Sequence, residues 1–211
     1  MTIPRWIMAC MVYFAMTGCA VKRTDLTAFY SHPPRSIVVV PVVNESTEVT
    51  APTVFMSTIT RPLAERGYYV FPVYLTEVLF QDLGLPVAGH IHQLPPRRFL
   101  DLFGADAVLF ITIKDWSTQY LVIQSSVTVD MDYILKDTRT GRVLWESRQP
   151  VVHASGGGGN LIGMGIGAAI HALTTDYRPL AQQANNMAFL PPRGLPAGPY
   201  HPEYLKDQAR F

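Results

Sequence analysis

The sequence predicts an α/β fold: a single mixed sheet of about five strands, a parallel N-terminal part plus a long C-terminal antiparallel hairpin, flanked by helices. Three observations carry this. Ile37-Val38-Val39-Val40 and Ala107-Val108-Leu109-Phe110-Ile111 are apolar on successive residues, as strands covered on both faces are. Between them, strand and helix patterns alternate, the rhythm of a parallel α/β unit. Val127, Val129, Met131 and Tyr133 then alternate with Thr128, Asp130 and Asp132, giving one dry and one wet face.

Taken from the start, Arg5 supplies a positive flank, residues 6–15 form an apolar core, and Met16-Thr17-Gly18 lead to Cys19. The run is too short to cross a hydrocarbon layer of about 30 Å, which takes roughly 20 apolar residues. It reads as a signal peptide over residues 1–18. Met16-Thr17-Gly18-Cys19 resembles a bacterial lipobox, which implies cleavage between Gly18 and Cys19 and lipidation of Cys19 on its thiol and freed amine. Ala20, by the same resemblance, implies sorting to the outer membrane, lipid-anchored and facing the periplasm.

Removing 18 of 211 residues leaves 193, with 16 basic and 16 acidic side chains. A balanced surface has no field to gather phosphates, so nucleic acid is excluded as a partner. The two cysteines, Cys10 and Cys19, both fall in the leader or its junction, so no disulfide staples the fold.

Residues 19–35 form the lipidated N-terminus and a tether, with residues 20–34 reaching at most roughly 50 Å when extended. The α/β domain spans 36–190. Its first strand opens at Ser36, and Pro41, which lacks a ladder donor, suggests a strand end or a bulge there rather than an even continuation to Val43. Val54, Phe55, Ile59, Leu63 and Ala64 mark a helix closed by Gly67, with a kink or a late restart at Pro62. Residues 68–73 read as a strand, Thr76 as the cap of a helix through Leu83, and residues 85–93 as a loop. A short helix covers 97–103 and stops at Gly104; the strand 107–113 follows. The hairpin turns at residues 137–141 and returns over 143–151 with Trp145. After a glycine-rich linker, Asp176 opens a helix whose stripe is Tyr177, Leu180, Ala181, Ala184, Met187 and Ala188, ended by Pro191-Pro192. The tail 191–211, rich in Pro and Gly, is expected to lie over the surface.

Candidate chemistry is sparse. Gly163-Met164-Gly165-Ile166-Gly167 lacks the spacing and the preceding parallel strand of a dinucleotide loop, so no cofactor is expected. Its small residues suit close packing, within the chain or as an assembly contact that includes a homo-oligomer. His90-Ile91-His92, if extended, sets two rings on one side, but no third ligand is near and no metal is assigned. Asp130 and Asp132 suggest a carboxylate pair, which requires a cleft; half-exposed hairpins more often carry such residues on their wet face. Ser155 and His153 lack a nucleophile elbow. No catalytic residue is assigned, and the chain reads as a non-enzyme.

The lipobox at Met16 to Cys19, the opening strand from Ser36 to Asn44, the glycines Gly156 to Gly159 and the tail Pro199-Tyr200-His201-Pro202-Glu203-Tyr204 together resemble a bacterial lipoprotein family of unknown function that includes a genome-derived neisserial antigen. The core is similar to the periplasmic domain of curli-secretion-type lipoproteins and to the N-terminal domain of the Tol–Pal β-propeller protein. The resemblance implies a non-catalytic assembly component of a cell-envelope lipoprotein complex, with companion outer-membrane lipoproteins of curli-secretion type as partners. Two alternatives are a lipoprotein regulator of a peptidoglycan synthase and an envelope hydrolase.

Overall fold

The computed structural model describes residues 25–121, 124–155 and 178–211. The elements run α1 (Thr27–Ser31), β1 (Ser36–Val39), β2 (Val43–Asn44), α2 (Ala51–Glu65), β3 (Tyr69–Val70), α3 (Val73–Asp82), α4 (Ala88–His92), α5 (Arg97–Phe103), β4 (Ala107–Leu121), β5 (Gln124–Asp137), β6 (Val143–Ser155) and α6 (Arg178–Ala188), with a 3₁₀ turn at Gln208–Arg210. The sheet has six strands in the order β3-β1-β4-β5-β6, with β2 also on β4. β1 pairs in parallel with β3 and β4, whereas β4, β5 and β6 form an antiparallel meander. This is the mixed sheet expected, with β2 as an additional short strand.

Pro41 decides where β2 separates from β1. Val39 faces Leu109 and Val43 faces Thr112, so four steps on one strand span three on β4. The surplus residue is a bulge at the position that cannot donate. β1 itself is buried on both faces: Ile37 and Val39 face α2 through Phe55, Ile59 and Leu63, while Val38 and Val40 face Phe80, Ile91 and Phe99 of α3, α4 and α5. α2 continues without interruption through Pro62, whose ring is buried. Gly67, Gly84 and Gly104 follow helix ends at φ of 84°, 75° and 67°, the left-handed region where a Cβ is penalised.

Several boundaries differ from expectation. β4 continues eight residues past Ile113, through Leu121; the alternation of buried Trp116 with half-buried Asp115 and Ser117 masks its second half. Thr76 does not cap a helix. It lies inside α3 and its hydroxyl donates to the Pro72 carbonyl at 3.2 Å, one turn back. Residues 88–92, expected in a loop, form α4. In α6 the buried stripe is Ala181, Ala184, Asn185 and Ala188, and Met187 is exposed. Asn185 takes that place because it is satisfied: its amide donates to Thr58 (2.8 Å) and its carbonyl accepts from Tyr133 (3.3 Å). Asp176 and Tyr177 lie outside the described residues, as does the side chain of Leu180.

Both ends of the described chain are part of the core. Leu26 and Phe29 are buried and belong to the same apolar cluster as Phe55 and Trp145, so the packed domain begins ten residues before Ser36. The tail does not merely lie over the surface. Leu195, Ala197, Asp207 and Phe211 are buried. Arg66 donates to the Leu195 carbonyl (2.6 Å), Tyr68 to that of Pro196 (2.5 Å), and Trp145 to that of Arg193 (3.2 Å). Gly67 and Gly198 meet backbone to backbone, and a Cβ on either would collide with the other segment.

Candidate functional site

The parallel part of the sheet reverses its order at β1. The connection β1-α2-β3 runs to one side on one face of the sheet; β3 to β4, through α3, α4 and α5, returns to the other side on the opposite face. The two helical layers therefore diverge above the carboxyl end of β1, and an open α/β sheet forms its crevice at such a point. Here it is a groove of about 520 Å³, floored by Pro41, Val42 and Ile91 and walled by Met56 of α2 and Tyr74 and Phe80 of α3. Phe80 is fully buried at its base, whereas Tyr74 on the rim is 72% exposed. Leu75 and Val87, exposed nearby, extend the apolar character outward.

Its lining is predominantly apolar. Among the described residues, Glu77 is the one charged residue lining the groove. The Ser57 hydroxyl is spent on the Val54 carbonyl at 2.7 Å. His92 lies behind the groove, where Nε2 donates to the Pro41 carbonyl at 2.9 Å and the ring meets Phe110 edge-on. Burial pushes its pKa below the ordinary value, outweighing the opposite pull of that hydrogen bond. His92 thus pins the β1–β2 bulge to α4 and shapes the floor. His90 is exposed, and on a helix two residues apart point to opposite sides. The pair is helical, so the expectation of two rings on one side of an extended segment is corrected. Among the described residues, no cluster of three His, Cys, Asp or Glu side chains is placed to hold a metal.

Asp130 and Asp132 do share one face of β5, outside the groove. Arg148 on β6 reaches both, Nη2 to Asp130 at 2.9 Å and Nε to Asp132 at 3.5 Å. Lys114, at the β4 irregularity, lies 3.9 Å from Asp132 and 2.8 Å from Glu45. The carboxylates are thus members of a cross-strand ion-pair ladder. Gly18, Cys19, Gly163, Gly165 and Gly167 lie outside the described residues, as does the Gly156 to Gly159 run. The side chains of His153 and Ser155 are likewise not described.

The profile of the GNA1162-like lipoprotein family matches residues 24–191. The chain belongs to this family. A GNA1162-like relative, the lipoprotein NMB1124/NMB1162 of Neisseria meningitidis serogroup B, is 32% identical over 186 residues, covering 86% of each chain. The crystal structure of lipoprotein GNA1162 from Neisseria meningitidis superposes with a TM-score of 0.57 at 35% identity, over 66% of this chain and 98% of that one. The GNA1162-like match ends at residue 191, so the tail that binds Arg66 and Tyr68 lies beyond it.

Sequence reasoning missed the groove. The signal was available in the predicted parallel order, since the end of the first strand of such a sheet is where helices part, and Pro41 and Pro52 mark that end.

Proposed function

We propose that this chain is an outer-membrane-anchored lipoprotein that acts by binding, as a non-catalytic assembly component of a secretion-type lipoprotein complex in the cell envelope. In this reading residues 1–18 are removed, Cys19 carries the acyl chains, and the periplasm-facing domain docks companion outer-membrane lipoproteins of curli-secretion type. The observation that carries it is the burial of Leu26 and Phe29. Only residues 20–25 then separate the lipid from the packed domain, a reach of about 20 Å at full extension. A domain held so close to the bilayer meets partners anchored in the same bilayer. A regulator that must span the periplasm to a peptidoglycan synthase needs a longer leash. The groove supports the same reading, being apolar, nearly uncharged and rimmed by an exposed tyrosine, features of a protein-docking surface. The Asp130–Asp132 pair gives little support to a hydrolase, because Arg148 and Lys114 occupy it.

The test is a photo-crosslinking residue at position 74 in the full-length chain in living cells, with the adduct identified by mass spectrometry. Capture of an outer-membrane lipoprotein is expected. Capture of a peptidoglycan synthase with no companion lipoprotein would overturn the assembly role.

A further inference from the structure

From residue 19 onward the chain carries 16 basic and 16 acidic side chains, but they are not evenly spread. Five exposed arginines gather where β1 and β4 begin. Arg35 immediately precedes β1, and its N–H and the Nη1 of Arg139 both donate to Asp106, at 3.1 and 3.0 Å. Arg142 belongs to the same turn as Arg139, its carbonyl accepting from the Asp137 N–H at 2.9 Å. That turn abuts the start of α5: a Cβ on Gly141 would lie 3.9 Å from Pro96, the residue before Arg97 and Arg98. Asp101 pairs with Arg97 and Asp106 with Arg139, and Asp137 is buried within the turn. Among the described residues, Arg35, Arg98 and Arg142 make no ion pair.

Exposed aromatic and apolar side chains flank these cations. Tyr69 opens β3 beside Arg35, donating its N–H to the Arg35 carbonyl at 3.0 Å, and is 52% exposed. Tyr200 donates its N–H to the Gly67 carbonyl at 3.1 Å and stands in solvent, as does Val143 next to Arg142. The chain that leads from Cys19 enters at this same end. Tyr30 of α1 donates to Asp207 at 3.4 Å, and Asp207 holds Arg66, which closes α2 just before β3.

We propose that this amino end of the sheet rests on an anionic phospholipid surface, an inference that builds on the reading of Cys19 as the lipid anchor. The arginines meet lipid phosphates, and Tyr69 and Tyr200 sit at headgroup level. A guanidinium pairs with phosphate through two parallel N–H donors, clustered cations are held at an anionic bilayer by its surface potential, and tyrosine favours the boundary between lipid and water. The tether selects the membrane as the anion. Residues 20–25 reach about 20 Å, and they deliver the end to which α1 is tied. The groove lies at the other end of β1: Arg35 to Pro41 is six steps, about 20 Å at roughly 3.3 Å per residue. With the arginines on the bilayer, the groove opens away from it, free to receive a partner.

The full chain, expressed and processed in cells and purified from membranes, tests this after reconstitution into vesicles of phosphatidylcholine alone or with phosphatidylglycerol. Cys10 and Cys19, both within the first 19 residues, are the only native cysteines, so removal of the first and acylation of the second leave an introduced cysteine as the one free thiol. A polarity-sensitive fluorophore on Val143→Cys is expected to shift to the blue on the anionic vesicles and not on the neutral ones. The shift should disappear at about 1 M salt, where the screening length is about 3 Å. The same label on Tyr74→Cys, at the groove, is expected to give equal emission on both. Arg98→Glu with Arg142→Glu should abolish the shift at position 143, while flotation with the vesicles, which the acyl chains supply, and circular dichroism stay unchanged. Flotation without the shift, or a shift indifferent to the two charge reversals, would overturn the proposal and leave the anchor standing. Failure to float with either vesicle would overturn the anchor and the proposal together. A label at position 143 that responds to isolated peptidoglycan and not to anionic vesicles would move this end to the cell wall and overturn the proposal as well.

Discussion

Arg66, at the end of α2, lies 3.1 Å from the carboxylate of Asp207, a residue 141 positions later, and both side chains are almost fully withdrawn from solvent. The same Asp207 oxygen also accepts the Ala197 N–H at 2.7 Å, so the buried carboxylate is held from two sides. A buried ion pair adds little over a well-packed apolar pair, but removing one partner strands the other. Asp207→Asn is expected to cost about 3 kcal/mol or more in urea unfolding, within the range of about 3–5 for a broken buried pair. A loss under about 1 kcal/mol would show that the tail is not locked onto α2.

Gly67 tests the same junction without changing a charge. At φ 84°, with the His201 backbone where a Cβ would lie, Gly67→Ala combines left-handed strain of roughly 1–2 kcal/mol with displacement of the tail. Limited proteolysis should then cleave after residue 191 faster than in the wild type. Equal cleavage rates would mean that the tail finds another seat.

Phe80 and Tyr74 separate the fold from the groove it forms. Phe80 is fully buried against Phe99 and Phe103, so Phe80→Ala is expected to cost about 3–5 kcal/mol through the cavity it leaves. Tyr74 stands in solvent, and Tyr74→Ala should change stability by no more than about 0.5 kcal/mol. Its effect is expected in co-purification with an envelope partner, which should fall. Unchanged co-purification would remove Tyr74 from the binding surface.

Asp106 ties the amino ends of β1 and β4 to the β5–β6 turn, accepting from Arg35 N (3.1 Å), Ser36 N (3.3 Å) and Arg139 Nη1 (3.0 Å). Burial alone would raise its pKa, but the hydrogen bonds from Arg139, Arg35 and Ser36 outweigh it and hold the carboxyl below its ordinary value of 3.8. A carboxyl lowered in the folded state stabilises fully above its unfolded pKa, and the contribution disappears as pH falls through the folded one. Because the Arg139 partner is exposed, solvent screening limits the effect to about 1 kcal/mol. Between about pH 5 and about pH 2, a window that brackets an unfolded aspartate's pKa of about 3.9, Asp106→Asn should flatten the stability profile by that amount. An identical acid slope in both proteins would contradict this role.

How much of the molecule its sequence announces depends on which forces act. β1 and the first half of β4 are legible because burial on both faces leaves an unbroken apolar run, and Pro41 marks the bulge by what it lacks. α4 is hidden because five residues with Gly89 and two histidines carry no period. Leu26 and Phe29 are isolated apolar residues in a polar stretch, and only their pocket in the fold reveals them. The tail is held through the carbonyls of Arg193, Leu195 and Pro196, groups that every sequence possesses, so composition reads it as loose. The groove escapes for a related reason: Pro41, Met56, Tyr74 and Ile91 converge from separate parts of the chain and share no local pattern.

Placement close to a bilayer underlies the functional reading, and it depends on the chemistry of one atom, the sulfur of Cys19. Intact-mass analysis of the protein extracted from membranes measures it. The predicted product begins at Cys19 and carries the added mass of two acyl chains on a thioether-linked glycerol and a third on the amine. A mature chain with an unmodified Cys19 thiol, or one that retains residues 1–18, would contradict it.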